Sequence, residues 1–353
     1  MRQNLATEVK ALAISCGFDL AGIAAAGPLA EAEHYMDWVG RGMAGRMGYL
    51  TDERAEKRRD PRRLLPAARS VVVVGQLYNA PLPYSRTIED ETLGWISRYA
   101  WGDDYHDVMK RRLAELDARL QVLAPCETKI CVDTAPLLER PLARAAGLGW
   151  IGKNTCLINQ QRGSWFFLGE LLTSLDLAAD SPAADRCGSC TRCIDACPTA
   201  AIVRTGHDNP TWELDARLCI SYLNIELKGA IPETQRAGMG RHVFGCDICQ
   251  DVCPWNGRAA TTGDPPWQPR VMAPPLEQFA TMSAVEFQRL FRGSPIARTK
   301  YQGFLRNVAV AMGNAGAARY REPLEKLCGH DDPVIASHAA WALGRIESES
   351  TCA

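Results

Sequence analysis

The sequence has no uncharged apolar stretch approaching the roughly 18 residues of a membrane span. Its opening segment, MRQNLATEVK, is charged and has no apolar core, so export is not expected. It also lacks a charge of one sign. With 40 Lys+Arg against 41 Asp+Glu, the formal net charge is −1, which excludes a globally basic nucleic-acid binder but not a local basic patch. Neither a G-x-G-x-x-G after a strand nor a P-loop is present, so nothing announces a nicotinamide, flavin or nucleotide site. At 46% hydrophobic and 23% charged, the composition excludes wholesale disorder, collagen and coiled coil.

Cysteine is what the chain has in excess. There are 14, and eight of them fall between residues 187 and 253. A chain of 353 residues can build its own core without disulfide staples. A reducing compartment, the cytoplasm, is therefore expected, where clustered thiols signal metal or redox chemistry.

The first half predicts mixed α and β structure. Val71–Val74 is a fully apolar β-branched strand, central in a sheet. Val108, Leu113, Leu116, Leu120 and Leu123 mark a helical stripe, and Lys129–Val132 a further strand ending at Asp133. A helix is predicted over Pro136–Ala146, with proline in its first turn, and a strand over Trp165–Leu172. From Ala178 to about Pro265 segments are short and periodicity is weak, as where metal coordination stands in for a core. Beyond a proline-rich linker, Arg306–Gly313 aligns with Ser337–Gly344 at a period of 31, suggesting stacked helical pairs of the HEAT type. The expected fold class is α+β multidomain. An N-terminal α/β domain spans 1–177, a bacterial-ferredoxin-like two-cluster domain 178–265, and a linker with HEAT-like helices 266–353.

Cys187-x-x-Cys190-x-x-Cys193-x-x-x-Cys197-Pro198 matches the bacterial ferredoxin run. Three thiolates on a tight loop grip three irons of one cubane, while the fourth points to a second cluster. The second run, Cys246-x-x-Cys249-x-x-x-Cys253-Pro254, is one cysteine short, and Cys219 is the only unassigned cysteine between the runs. The count then closes on two [4Fe-4S] clusters: Cys187, Cys190, Cys193 and Cys253 on one, Cys197, Cys219, Cys246 and Cys249 on the other. The alternative, a zinc site, usually pairs two C-x-x-C knuckles and does not produce this run. Cys16, Cys126, Cys131, Cys156, Cys328 and Cys352 are scattered and read as small buried hydrophobes.

Other phrases converge on one family. Glu56–Pro61, Arg98-Tyr-Ala-Trp-Gly-Asp-Asp-Tyr-His106, Val132-Asp-Thr-Ala-Pro-Leu-Leu-Glu-Arg140 and Gly147-Leu-Gly-Trp-Ile-Gly-Lys-Asn154 precede the cysteine runs, with Cys219–Glu226 between the runs. From about residue 5 onward this resembles the epoxyqueuosine reductases, cobalamin-dependent enzymes of tRNA modification. The resemblance implies electron transfer through the two clusters to a cobalamin held by the N-terminal domain. It further implies reduction of epoxyqueuosine to queuosine at the tRNA wobble position. A low-potential electron donor, no membrane and a monomeric enzyme are expected.

The family's proton donor falls on Asp133. An alkoxide released from an opened epoxide leaves poorly unless it is protonated. Desolvation beside an apolar corrin is expected to raise the Asp133 pKa. Read from the residues alone, Asp133 is equally a helix N-cap. The resemblance also implies cofactor contacts from Arg58, Arg98, Asp133, Asn154, Ser164, Leu168, Phe244 and Gly245. The cations around Arg58 read either as a solvated face or as a phosphate site. Gly163–Gly169 reads either as core or as corrin lining. Arg298, Lys300, Arg306, Arg319, Arg321 and Lys326 make the C-terminal region locally basic and are candidates for tRNA phosphates.

Overall fold

Every residue of the strand that carries the four valines is buried. In the computed structural model, which describes residues 2–206 and 211–350, this strand is the second of a four-stranded sheet. Cys352 lies outside the described residues. The strands are β1 (Leu20–Ala25), β2 (Ser70–Leu77), β3 (Thr128–Cys131) and β4 (Phe166–Thr173), in spatial order β1-β2-β4-β3.

Helices cover both faces of the sheet, which is why the valines need no polar alternation. Val72 and Val74 share a core with Val9 of α1 (Arg2–Ser15) and with Leu113 and Leu116 of α2 (Tyr105–Leu123). Val71 and Val73 share another core with Leu142 and Ala143 of α3 (Glu139–Ala145). Mixed α and β structure is found here as expected, and each neighbouring pair of strands in this sheet is antiparallel. A strand covered on both sides carries an unbroken apolar run in either direction of pairing, so the pattern could not distinguish them. The helix predicted from Pro136 starts three residues later, at Glu139. The chain first makes tight turns, Thr134 N–H to Val132 O at 2.5 Å and Leu137 N–H to Ala135 O at 2.8 Å.

At the other end, α4 (Lys300–Ala315), α5 (Arg321–Cys328) and α6 (Pro333–Ser350) pack together. A Cβ on Gly313 would stand 2.7 Å from Ala342, so these two small residues let α4 and α6 approach closely. Their core also takes in Ile96, Trp101, Val243 and Phe244 from earlier in the chain.

Arg306, expected on a phosphate-binding surface, is instead 1% exposed. Its guanidinium donates to the carbonyls of Leu223, Leu227 and Gly229 at 2.7–2.8 Å and so ties α4 to the Leu223–Gly229 segment. The position was misread because a lone Arg in an apolar helix looks the same whether it faces water or buried carbonyls. Arg306→Met removes the donors and leaves those carbonyls desolvated. We expect a loss of about 3 kcal/mol in urea unfolding, and a loss below about 1 kcal/mol would show the staple to be dispensable.

Candidate functional site

Eight thiols gather around two short helical turns, Arg192–Asp195 and Ile248–Asp251, with Cys219 just before the turn Tyr222–Glu226. Which thiols are neighbours follows from whose charge each one feels. Burial raises the Cys193 pKa to about 11, with Cys187, Cys253 and Cys190 adding to the rise. Cys253 is raised by burial, by Cys187 and by Cys156. Cys219 is raised by burial and by Cys197, and Cys246 by burial and by Cys219 and Cys197. Cys249 is raised by a hydrogen bond with Cys156, by burial, and by Cys246 and Cys219. Among the described residues, no three His, Cys, Asp or Glu side chains gather tightly enough to grip a single ion. A cubane asks for a different arrangement, one thiolate at each of four separate irons. Lys153, from the Gly-rich phrase before the runs, donates its Nζ to the carbonyls of Gly188 and Cys190 at 2.7 and 2.9 Å. It bridges the N-terminal sheet region to the first cysteine loop.

On the sheet side, β3 ends at Cys131 and the next residues turn sharply. Asp133 has φ +50°, unusual for a residue with a side chain, at the centre of the turn closed by Thr134 N–H and Val132 O. Asp133 is not an N-cap: α3 is preceded by Leu138 and has no side-chain cap. Its Oδ2 lies 3.0 Å from His106 Nε2, and His106 Nδ1 lies 2.8 Å from Asp104 Oδ1. Asp104 is the N-cap of α2, so the first turn of a long helix fixes the imidazole. Tyr105 stacks on Phe167 with ring centroids 4.5 Å apart and on His106 at 4.1 Å.

These neighbours overturn the expected rise at Asp133. Burial pushes its pKa up, but the hydrogen bond and charge of His106, a hydrogen bond from Tyr105 and the charge of Arg298 outweigh that and leave it below the usual value. Burial disfavours the charged form of His106, yet hydrogen bonds to Asp104 and Asp133 and their charges lift it to about 9. His106 therefore favours its charged form and Asp133 its ionised form near neutrality, and the two titrate as a coupled pair.

Asp104, Tyr105 and His106 line a cavity of about 310 Å³ together with Tyr99, Ser294, Arg298 and Lys300. Arg298 is held by Glu226 at 2.8 Å and lies over the Tyr49 ring. Of the basic residues singled out in the sequence, only Arg298 and Lys300 line this cavity. Arg319, Arg321 and Lys326 pair with Glu277, Glu347 and Glu322.

The remaining expected contacts are not among the residues that line this cavity. Asn154 donates to Cys249 O at 3.4 Å and accepts from Cys156 N–H. Ser164 donates to Gln250 and accepts from Asn256, both at 2.8 Å. Leu168 lies half-buried on β4. Arg58 donates to Tyr49 O and lies over Tyr35. Arg98 is 3% exposed, donates to the carbonyls of Ala80, Leu82 and Pro83, and lies over Trp101. Phe244 is fully buried, and Gly245 pairs its backbone with the Asn224 amide. Asp251, 8% exposed, keeps both carboxylate oxygens without a hydrogen-bond partner. Burial and the Asp247 charge push its pKa up to about 8, so near neutrality it is an unpartnered carboxyl that can accept or donate, as the amide side chains rimming a corrin require, and the residues present fit that cofactor. Sequence reasoning missed His106, Tyr105, Asp104 and Glu139 as site residues. The one available signal was His106 itself, one of only six histidines, closing the Arg98–His106 phrase.

Eight thiols in two ferredoxin-like runs, in a chain that also pairs a half-buried imidazole with a carboxylate lining the same cavity, define an iron–sulfur oxidoreductase. Residues 186–256 match the family described as "4Fe-4S double cluster binding domain", and residues 58–134 the family described as "Epoxyqueuosine reductase QueG, DUF1730". The chain is 41% identical over 348 residues to epoxyqueuosine reductase of Xanthomonas campestris, covering 97% of this chain and 96% of that one. It is 39% identical to that of Escherichia coli, covering 99% and 92%. A crystal structure of epoxyqueuosine reductase with an epoxyqueuosine-modified tRNA-Tyr stem loop superposes with a TM-score of 0.88 at 32% identity, covering 97% of this chain and 90% of that one. A Bacillus subtilis epoxyqueuosine reductase, with its catalytic aspartate loop swung out of the active site, matches with a TM-score of 0.86 at 31% identity, over 97% and 90% of the two chains. The chain belongs to the epoxyqueuosine reductase family. Among the described residues no helix is long and apolar enough to cross a membrane.

Proposed function

We propose that this protein reduces epoxyqueuosine to queuosine at the tRNA wobble position, with Asp133 as the proton donor. The observation that carries the reading is the Asp104–His106–Asp133 chain, whose first two members line one cavity with Arg298 and Lys300. The net reaction removes the epoxide oxygen as water, taking up two electrons and two protons. Eight thiols suit two [4Fe-4S] clusters, with Cys187, Cys190, Cys193 and Cys253 on one and Cys197, Cys219, Cys246 and Cys249 on the other. When bound, cobalamin supplies a strongly reducing metal centre, fed by these clusters from an external low-potential donor. Asn154, Ser164, Leu168 and Arg58 are the side chains we assign to holding it, with Arg98, Phe244 and Gly245 supporting the wall behind them.

The protein's own part is proton delivery and exclusion of water. His106 stores the proton, Asp133 presents it at the leaving oxygen, and Tyr105, stacked on Phe167, keeps the imidazole from swinging. Arg298 and Lys300 would meet the anticodon backbone, and the wobble base would have to splay out of its stack to reach Asp133. We read 1–177 as the cofactor-binding catalytic domain, 178–265 as the cluster domain, and 266–353 as a linker with HEAT-like helices facing tRNA. The close Gly313–Ala342 contact supports the repeat. Acting on tRNA, the enzyme belongs in the cytoplasm.

The test is anaerobic reconstitution with iron, sulfide and cobalamin, followed by reduction and nucleoside analysis of epoxyqueuosine-bearing tRNA. Conversion to queuosine is expected. Holoenzyme with stoichiometric corrin and about eight irons that yields none would overturn the assignment.

A further inference from the structure

Behind Asp133 lies a second pair of carboxyls that the chemistry above does not use. Glu139, in the first turn of α3, accepts the Asp133 backbone N–H at 2.5 Å. Glu170 sits in the middle of β4, fully buried, opposite Val73 on β2 and Cys131 on β3. Neither of its carboxylate oxygens has a hydrogen-bond partner. Yet the Glu139 and Glu170 side chains are within hydrogen-bonding reach of each other. The two observations agree once the proton is counted. Two carboxylates offer only acceptors, and a hydrogen bond forms between them only when one carries a proton.

The backbone that Glu139 holds is the left-handed turn at Asp133, a conformation that is unfavourable for a residue with a side chain and persists only where its surroundings enforce it. Glu139 is the side chain that binds this residue's N–H from behind, while His106 binds its carboxylate in front. We propose that Glu139 is the latch that holds the Asp133 turn in its proton-delivering position, and that Glu170, sharing one proton with Glu139, keeps that latch seated. This rests on Asp133 as the proton donor. Glu139 and Glu170 touch no substrate and are positioning residues.

The charges around the pair set its direction. Glu139 is raised to about 7 by burial and by Asp133, against the opposing Asp133 N–H, Arg140 and the bond to Glu170. Glu170 is raised further, by burial, by Glu139 and by Asp133. Cys131 is the titratable group facing it from β3, and Tyr105 also feels Glu139 from α2. Near neutrality the proton thus stays on Glu170 while Glu139 ionises. A carboxylate accepts an N–H more strongly than a neutral carboxyl, so the latch tightens as pH rises through about 7.

Amide hydrogen exchange of the holoenzyme over peptides spanning 131–138 reads this directly, whether or not tRNA is turned over. After correction for intrinsic exchange, the wild-type protein should gain protection there between pH 6 and 8, below the range near 9 where His106 titrates. Glu139→Gln should exchange roughly tenfold faster at pH 8 and lose the pH dependence. It should also lower kcat with KM unchanged. Glu170→Gln supplies a neutral N–H donor in place of the shared proton and should keep the loop protected at pH 8. Unchanged exchange in Glu139→Gln would overturn the latch. Equal loss of protection in both variants, tracking their Tm, would reduce the pair to packing. Normal exchange changes in a protein that makes no queuosine would instead indict the functional reading.

Discussion

Asp133→Asn in the holoenzyme, with its corrin reduced beforehand, is expected to lower deoxygenation by about 10²–10⁴-fold, the usual worth of a positioned acid. Affinity for tRNA should stay near that of the parent. Asparagine keeps the size of the side chain and can still meet His106, but it cannot take a proton from the imidazole and pass it on. A second readout follows from the charges. Asp133 and Asp104 hold His106 up to about 9 by hydrogen bonds and charge, so the imidazolium is present at neutral pH and is lost as pH rises through about 9. Turnover limited by protonation should fall over the same range. Removing the Asp133 charge should move that fall to lower pH, because one of the two carboxylates that favour the charged imidazole is gone. Near-normal turnover by Asp133→Asn would take the role away from this residue.

Cys219→Ser should have an effect as large, for a different reason. This cysteine stands outside both compact runs and feels the charge of Cys197 across the fold. If it closes the second cubane, its replacement should drop iron from about eight to about four per chain and abolish electron delivery to the reaction site. The electron paramagnetic resonance signal of the cluster held by Cys187, Cys190, Cys193 and Cys253 should survive. Cys187→Ser should leave the complementary signal. Cys156→Ala, which removes a thiol bonded to Cys249 but outside both sets, should retain all the iron. Full iron and unchanged turnover in Cys219→Ser would refute the pairing.

How much was legible depends on how local each signal is. The cysteine runs could be read without a structure because cluster ligation is a matter of spacing along a loop. The valine strand could be read because burial on both faces demands an unbroken apolar run, although the direction of its neighbours left no mark on that run. Asp133 was reachable only through resemblance, since an acid followed by Thr134 and Pro136 looks like a helix cap. Its φ of +50° and the start of α3 at Glu139 excluded that role. Arg306 and Arg298 show the same limit among the basic residues. One is a buried staple and the other lines the cavity beside His106, yet they sit eight positions apart in similar surroundings of sequence.

By itself, then, the order of amino acids determined the two cysteine runs that suit clusters and the apolar strand at the centre of the sheet. Both depend on residues near one another in the chain and on chemistry that tolerates little variation. The tertiary structure alone decided which titratable groups meet. Asp104 and His106 on α2 meet Asp133 after β3, and Glu139 on α3 meets Glu170 on β4. The charge state of each group is set by partners that only the packing of the sheet against its helices brings within reach.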